Sequence, residues 1–325
     1  MPLFDLSLPE LREHRTAAVE PPGLDAFWAD AIGQARARAV EPVVTPYRSE
    51  TYGSLAAFDV TFSGGDGHPI KAWYLRPRSA GDEPLACRVE FIGYGGGREQ
   101  PAAHALYPAA GHATLVMDTR GQGGNWSSGD TPDPGAGASG PEHPGVMTRG
   151  IASPQTYYYR RLYVDAVRAV ETAAALPGVD PERIAVAGGS QGGALALAAA
   201  ALAPDLVRLC HPDVPFLCDI ERGMDLAGDP PYTELVAFLA VHAELEEQAR
   251  ATLRHVDNAL LATRIRAKTL IAVALRDTIC PPSTVFAAYN AITAEKRIVV
   301  LPYSGHTTTT AHAELLLDEF QRELG

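Results

Sequence analysis

The chain has 325 residues, of which 46% are apolar and 20% are charged, and its formal net charge is −12. This composition is typical of an ordinary globular protein and excludes a largely disordered chain. The negative charge argues against binding to nucleic acid or to an anionic membrane surface, because both require a basic face. We therefore expect neither as a partner, and a neutral or cationic small molecule is the easier ligand.

The cysteines show no metal-binding spacing, and the N-terminus shows no targeting signal. Four cysteines are present, with no C-x-x-C pair and no cysteine–histidine cluster of zinc spacing: Cys87, Cys210, Cys218 and Cys280. No basic segment followed by an apolar run opens the chain, and no apolar stretch is long enough to span a bilayer. We expect buried free thiols, no metal or cofactor, and a cytoplasmic protein.

The predicted elements follow the order of an α/β fold. Residues 1–45 predict a helical N-terminal arm, and a glycine-rich turn at Ser63–Gly67 then joins two strands into a hairpin. Apolar strands alternate with helices from Ala86 onward. This alternation predicts a mostly parallel central sheet with helices on both faces, in one domain covering residues 1–325.

Two segments interrupt the alternation. Residues Arg120–Gly150 are rich in Gly, Pro, Ser and Asp and have no periodicity, and loops of this length are usually functional or disordered. Residues 219–264 contain helix-like segments and few strand signals. We predict that this second segment is a helical cap inserted into the sheet.

The segment Gly188–Gly193 joins a predicted buried strand to a helix rich in alanine and leucine. Its spacing, Gly188-x-Ser190-x-Gly192, is typical of a nucleophile elbow, in which glycines permit a tight reversal that exposes the serine. The following helix would direct free N–H groups toward the site of developing negative charge. A glycine-rich turn with a capping serine would have the same sequence, so the motif alone leaves both interpretations open.

Two later loops offer partners for Ser190. Asp277 follows one predicted strand, and His306 follows the last predicted strand. A serine needs a base to activate it and a carboxylate to orient that base, and the order serine, acid, histidine is that of α/β-hydrolases. Asp277 could instead be a turn carboxylate, and His306 a packed loop histidine. Five other histidines compete on residue type but do not lie in the loop directly after the last predicted strand: His104, His112, His143, His211 and His312.

An oxyanion hole would require two preorganised N–H donors. The first is expected from Gln191, directly after the nucleophile, and the second from Tyr94 in the glycine-rich loop Gly93–Gly97. The loop is a weak match to a phosphate cradle, because no Lys-Ser or Lys-Thr follows it.

Several motifs together resemble the acetyl xylan esterase / cephalosporin C deacetylase family, carbohydrate esterase family 7. They are Arg120–Gly124, Gly188–Gly193 and Asp277–Thr284, with further similarity at Met1–Leu6, Tyr157–Arg160 and Val214–Cys218. The resemblance implies an intracellular α/β-hydrolase that removes acetyl groups from small substrates, including acetylated xylo-oligosaccharides and cephalosporin C. It also implies a ring-shaped hexamer, a trimer of dimers, with active sites facing an internal cavity.

Carried over by position, the resemblance makes Ser190 the nucleophile, His306 the general base and acid, and Asp277 its orienting partner. Tyr94 and Gln191 would supply the oxyanion hole through their N–H groups. Arg120 would brace the loops around the site, in a structural role like that of Gly188 and Gly192 in the elbow.

The chain departs from the family pattern at two positions. Thr307 stands where a glutamate usually follows the catalytic histidine, and Ile92 stands where a histidine commonly precedes the glycine of the oxyanion loop. The first departure leaves open a deacetylase or acyltransferase that tailors one natural product. An inactive relative that binds acetylated sugars is a hypothesis of a different class, and the intact serine, aspartate and histidine argue against it.

Overall fold

The computed structural model describes residues 3–48, 50–81, 83–134 and 141–325. Met1 and Pro2 of the Met1–Leu6 motif, and residues 135–140 of the predicted long loop, lie outside these ranges. Within the described part of that loop, Gly124 and Ser128 form an isolated antiparallel β-bridge.

The N-terminal arm contains two helices, as predicted. Helix α1 spans Leu8–Glu13, and the Glu10 carboxylate accepts a hydrogen bond from the Ser7 N–H at 2.8 Å, which satisfies a free donor at the helix start. Helix α2 spans Leu24–Ala37 and buries Trp28, whose indole N–H donates to the His255 carbonyl at 3.1 Å. The arm is thereby anchored to a distant part of the chain.

A nine-stranded sheet forms the centre of the molecule, in the order β1-β2-β3-β5-β4-β6-β7-β8-β9. Strands β1, β2, β3 and β5 pair antiparallel, and the pairs from β5 through β4 to β9 are parallel. The predicted hairpin and the mostly parallel sheet are confirmed. The strands are Val43–Pro46, Leu55–Ser63, Pro69–Pro77, Leu85–Phe91, Ala113–Met117, Val179–Gly189, Val207–Asp213, Lys268–Ala274 and Lys296–Leu301, numbered β1 to β9.

Strand β1 was not predicted. It is an edge strand of four residues ending in proline, and all four are exposed, so its sequence lacks the alternation of apolar and polar residues that marks a half-buried strand. Its first residues lie inside the predicted arm of residues 1–45. The division of the chain into arm, domain and cap stays a prediction.

Helices cover both faces of the sheet. Helices α4 (Tyr158–Ala175) and α5 (Gln191–Leu202) pack on one face, where they bury Ile184 and Val186 of β6. Helix α11 (Thr310–Leu324) packs on the other face, where Phe320 contacts Ala185. Side chains alternate along a strand, so adjacent residues of β6 belong to different apolar layers.

The remaining helices are short and lie mainly in two places. The segment after β7 is helical, as predicted, and α10 follows β8. The bounds are Leu106–Ala109 for α3, Ile220–Leu226 for α6, Tyr232–Val241 for α7, Glu246–Leu253 for α8, Asn258–Leu261 for α9 and Pro282–Ala291 for α10. Among the described residues, no helix is both long and apolar enough to cross a membrane.

Candidate active site

Three of the predicted site residues lie at one edge of the sheet. Ser190 follows β6, Asp277 follows β8 and His306 follows β9, and the carboxyl ends of parallel strands meet at the same edge. Ser190 and His306 line a common cavity of about 850 Å³. The cavity is within the usual size range for small-molecule sites.

Ser190 occupies a strained turn between β6 and α5. Its backbone has φ 57° and ψ −119°, outside the regions that L-residues readily adopt, as in a nucleophile elbow. A Cβ on Gly188 would lie 2.6 Å from the Phe91 carbonyl oxygen, and one on Gly192 would lie 2.2 Å from the same atom. Both glycines are therefore required by the close approach of the turn to β4.

Asp277 and His306 are directly hydrogen-bonded, with 2.7 Å between Oδ2 and Nδ1. The other carboxylate oxygen of Asp277 accepts the N–H groups of Ile279 and Cys280, each at 2.9 Å. Asp277 is fully buried, whereas 21% of the His306 side chain is exposed. A ring that donates from Nδ1 to this carboxylate leaves Nε2 available to accept a proton.

Cys280 is a neighbour of the triad that the sequence did not identify. Its sulfur lies within 4.8 Å of one ligand atom each of Asp277 and His306, and burial raises the pKa of the thiol well above its usual value. The group is therefore neutral. Only the proximity of Cys280 to Asp277 in the sequence could have indicated that it lies so close.

Among the described side chains, one group could offer three ligands to a metal ion. It consists of Asp277, Cys280 and His306. One ligand atom each of Asp277, Cys280 and His306 lies within 4.8 Å of the others. In His306 the Nδ1 atom already bonds Asp277. The protonated thiol also makes a poor ligand, because metals bind the thiolate. The arrangement fits a hydrogen-bonded triad better than a metal site.

The two predicted oxyanion donors come from two different elements, helix α5 and the turn after β4. Gln191 is the first residue of α5, so its N–H has no acceptor within the helix and lies at the positive end of the helix dipole. Tyr94 lies in the turn after β4 and lines the cavity. The Trp126 indole, although 61% of the residue is exposed, is held in place by donating to the Tyr94 carbonyl at 2.8 Å.

Two glutamine side chains, Gln122 and Gln191, connect the two backbone segments that carry these donors. The Gln122 amide nitrogen donates to Gln191 Oε1 at 2.9 Å, and its oxygen accepts the Gly95 N–H at 2.6 Å. Gln191 in turn donates to the Ile92 carbonyl at 3.2 Å. Gln122 lies in the Arg120–Gly124 motif, but the motif alone could not show that it connects the oxyanion loop to the elbow.

The Tyr94 side chain reaches the helical segment after β7. Its hydroxyl lies 2.8 and 2.9 Å from the two carboxylate oxygens of Glu234 and accepts the Val146 N–H at 2.8 Å. Burial raises the pKa of Glu234. Nothing in the sequence indicated Glu234, because the contact joins residues that are 140 positions apart.

Arg120 lies in a buried ion-pair network. Its guanidinium donates to both carboxylate oxygens of Asp165, at 2.5 and 2.6 Å, and to the Gly65 carbonyl at 3.2 Å. Arg120 and Asp165 are both fully buried. Tyr158 donates to the Arg120 carbonyl at 2.6 Å. This arrangement ties the loop after β5 to helix α4.

Both departures from the family pattern lie in the cavity wall. Thr307 lines the cavity, and its hydroxyl donates to the Thr308 carbonyl at 3.2 Å. Ile92 also lines the cavity and is otherwise buried. Of the competing histidines, His104 lines the same cavity, but His306 is the one bonded to Asp277.

Comparison with known proteins defines the class of the chain. The structure matches an acetyl xylan esterase from Paenibacillus sp. R4 with a TM-score of 0.92 and 34% identity, over 98% of this chain and 100% of that one. It matches acetyl xylan esterase 1 from Thermoanaerobacterium sp. JW/SL YS485 with a TM-score of 0.89 and 32% identity, over 99% and 100% of the two chains. The chain is a carboxylic ester hydrolase with the α/β-hydrolase fold, as predicted.

The acetyl xylan esterase (AXE1) family model matches residues 1–324, and the chain belongs to that family. The acetyl esterase Axe7A of Xylanibacter ruminicola is 28% identical over 303 residues. That match covers 93% of this chain and 66% of the relative, so this chain spans just under two thirds of the relative's length.

Proposed function

We propose that the protein removes acetyl groups from small acetylated substrates through an acetyl-enzyme intermediate. The observation that carries the proposal is the 2.7 Å bond between His306 and the buried Asp277, in the cavity that also contains Ser190 in its strained turn. Similarity to two acetyl xylan esterases over their whole length supports the choice of the acetyl group.

In the proposed mechanism, Ser190 attacks the acetyl carbonyl carbon while His306 takes the hydroxyl proton. Asp277 orients the ring and stabilises its protonated form. The N–H groups of Tyr94 and Gln191 bind the oxyanion of the tetrahedral intermediate, and His306 returns the proton to the departing alcohol. Water, activated by the same histidine, then attacks the acetyl-enzyme and releases acetate.

The resemblance supports finer proposals about substrate and assembly. We propose that the substrates include acetylated xylo-oligosaccharides and cephalosporin C-like acetyl esters, and that the protein forms a hexamer built as a trimer of dimers. Four free, buried cysteines are consistent with a reducing compartment and support a cytoplasmic location.

Initial rates with p-nitrophenyl acetate, butyrate and octanoate test the proposal. We expect the acetate to be strongly preferred, and Ser190→Ala to lower kcat by roughly 10⁴-fold or more. Ser79→Ala, at an exposed turn, is the matched control and should keep the wild-type rate. Preference for octanoate, or full activity of Ser190→Ala, would contradict the proposal.

A further inference from the structure

The cavity extends from Ser190 over the face of the sheet that carries α11. At the cavity, β6 contributes only small side chains on this face, with Ala187 paired to Glu90 of β4 and Gly189 paired to Asp213 of β7. The flanking strands β4 and β7 contribute larger polar side chains on either side of these small residues. We call this part of the cavity the polar lobe; its lining residues are Arg88, Glu90, Ala103, His104 and Asp213.

Arg88 has hydrogen-bonding capacity that the surrounding protein does not use. One terminal nitrogen lies 3.2 Å from the Tyr107 hydroxyl, and Nε lies 3.5 Å from the nearer carboxylate oxygen of Glu90. Only 9% of Arg88 is exposed, and its Nε is a buried donor without a hydrogen-bond partner among the described residues. Buried donors are normally satisfied, so the guanidinium of Arg88 is under-satisfied at the wall of the cavity that it lines.

The other lining groups balance the charge of Arg88. Burial favours the neutral form of Glu90, but His104 and Arg88 outweigh it and lower the pKa of Glu90 to about 2. Burial also opposes charge on His104, yet Glu90, at 3.5 Å from Nδ1, raises the pKa of this histidine. On the opposite side, Asp213 is hydrogen-bonded to His312 at 2.6 Å. The polar lobe therefore carries both signs of charge at close range.

This chemistry does not match the acyl half of an acetyl ester. A methyl group makes no hydrogen bonds, and the carbonyl oxygen is assigned to the two N–H donors at the elbow. Walls of mixed charge instead offer both strong donors and strong acceptors, which suits a molecule bearing several hydroxyl groups. They disfavour an apolar alcohol, because binding it would leave charged groups desolvated and unpaired.

We propose that the polar lobe is the subsite for the alcohol half of the ester and that Arg88 is its main specificity-determining residue, selecting alcohols with free hydroxyl groups. The proposal rests on the proposed esterase function. In the bound state, Arg88 donates to a substrate hydroxyl oxygen, and Glu90 or Asp213 accepts from a hydroxyl group.

The test compares two acetates of similar size, glycerol monoacetate and n-propyl acetate, by titrating released acid. We expect wild type to prefer glycerol monoacetate in kcat/KM, and Arg88→Met to reduce this preference at least tenfold. Because Arg88 is buried and its loss could impair folding, Ala103→Glu is the second variant. Ala103 is exposed at the lobe, and a carboxylate there would compete with substrate for Arg88.

Ala102→Glu is the matched control, because it adds the same charge one residue away, at an exposed position of the same short helical turn that does not line the cavity. We expect it to keep both rates. A preference that falls at least tenfold in Ala103→Glu but not in Ala102→Glu supports the subsite. A preference that changes less than twofold in every variant overturns it while the esterase function stands. If wild type hydrolyses neither ester, the proposed function fails and the subsite fails with it.

Discussion

Two buried carboxylates in this protein each hold a basic side chain, but in very different surroundings. Asp165 binds Arg120 through two hydrogen bonds, and neither residue is exposed. Asp277 binds His306 through one hydrogen bond, and the histidine side chain is 21% exposed. The first pair joins the loop after β5 to helix α4, and the second lies at the edge of the cavity.

The difference lies in what the basic partner can still do. Arg120 donates to Asp165 and to the Gly65 carbonyl, and an arginine does not give up its proton at ordinary pH. His306 lines the cavity and bonds Asp277 through one ring nitrogen, so the other ring nitrogen can accept and return a proton during catalysis. We therefore expect loss of the first pair to reduce stability and loss of the second to reduce catalysis.

Between these two pairs, the largest expected effect is that of Asp277→Asn on activity. An amide at this position would favour the wrong tautomer of His306, and kcat for p-nitrophenyl acetate should fall by roughly 10⁴-fold. The melting temperature should change little by comparison. Asp318→Asn, on the exposed side of α11, is the control. An Asp277→Asn variant that unfolds, or that retains most of its activity, would remove the distinction between the two pairs.

Arg120→Met should act mainly on stability. It leaves the Asp165 carboxylate buried without its cation, and breaking a buried pair in this way costs about 3–5 kcal/mol in the free energy of unfolding. Urea denaturation measures the loss. Arg266→Met is the matched control, because its pair with Asp205 is mostly exposed and should contribute less than about 1 kcal/mol. Equal free energies of unfolding for the two variants would show that the buried pair contributes no more to stability than the exposed pair.

A third buried carboxylate, Asp257, sharpens the comparison because it forms no ion pair with any cation among the described residues. Its oxygens accept the N–H groups of Asp219, Ile220 and Ala259 at 2.7 to 2.8 Å. Burial nevertheless dominates and raises the pKa of Asp257 to about 7. Its contribution to stability is thus fully present below the unfolded pKa of about 4 and is lost as pH rises through 7.

Asp257→Asn removes this titration. Between pH 4.5 and 7.5, wild type should therefore lose on the order of 3 kcal/mol of stability relative to the variant. The melting temperatures of both proteins, measured across this range, report the difference. A wild type that gains stability relative to the variant as pH rises would show that the three N–H donors keep Asp257 ionised.

The sequence predicted those features that depend on local pattern and chain order. Gly188, Ser190 and Gly192 form one short motif, and Asp277 and His306 each follow a strand whose apolar run is visible in the sequence. The fold class and the helical segment after β7 were predicted for the same reason. The roles assigned to the site residues remain proposals.

The supporting contacts could not be predicted in this way. Gln122, Glu234 and Asp165 bond partners that are 27 to 140 residues distant along the chain. Such pairs depend on how loops fold back over the sheet, and no periodicity records that geometry. The polar lobe is similar, because alternation places Arg88 and Glu90 on one face, but only the sheet order places Asp213 opposite them.

Labelling with diethyl p-nitrophenyl phosphate tests the central claim most directly, because this reagent phosphorylates an activated serine. After trypsin digestion, mass spectrometry should find one adduct per chain, on the peptide Ile184–Arg208, in which Ser190 is the only serine. The adduct should be absent from Ser190→Ala. A phosphorylated residue elsewhere, or an esterase that keeps its activity without any label on this peptide, would contradict the assignment of Ser190 as the nucleophile.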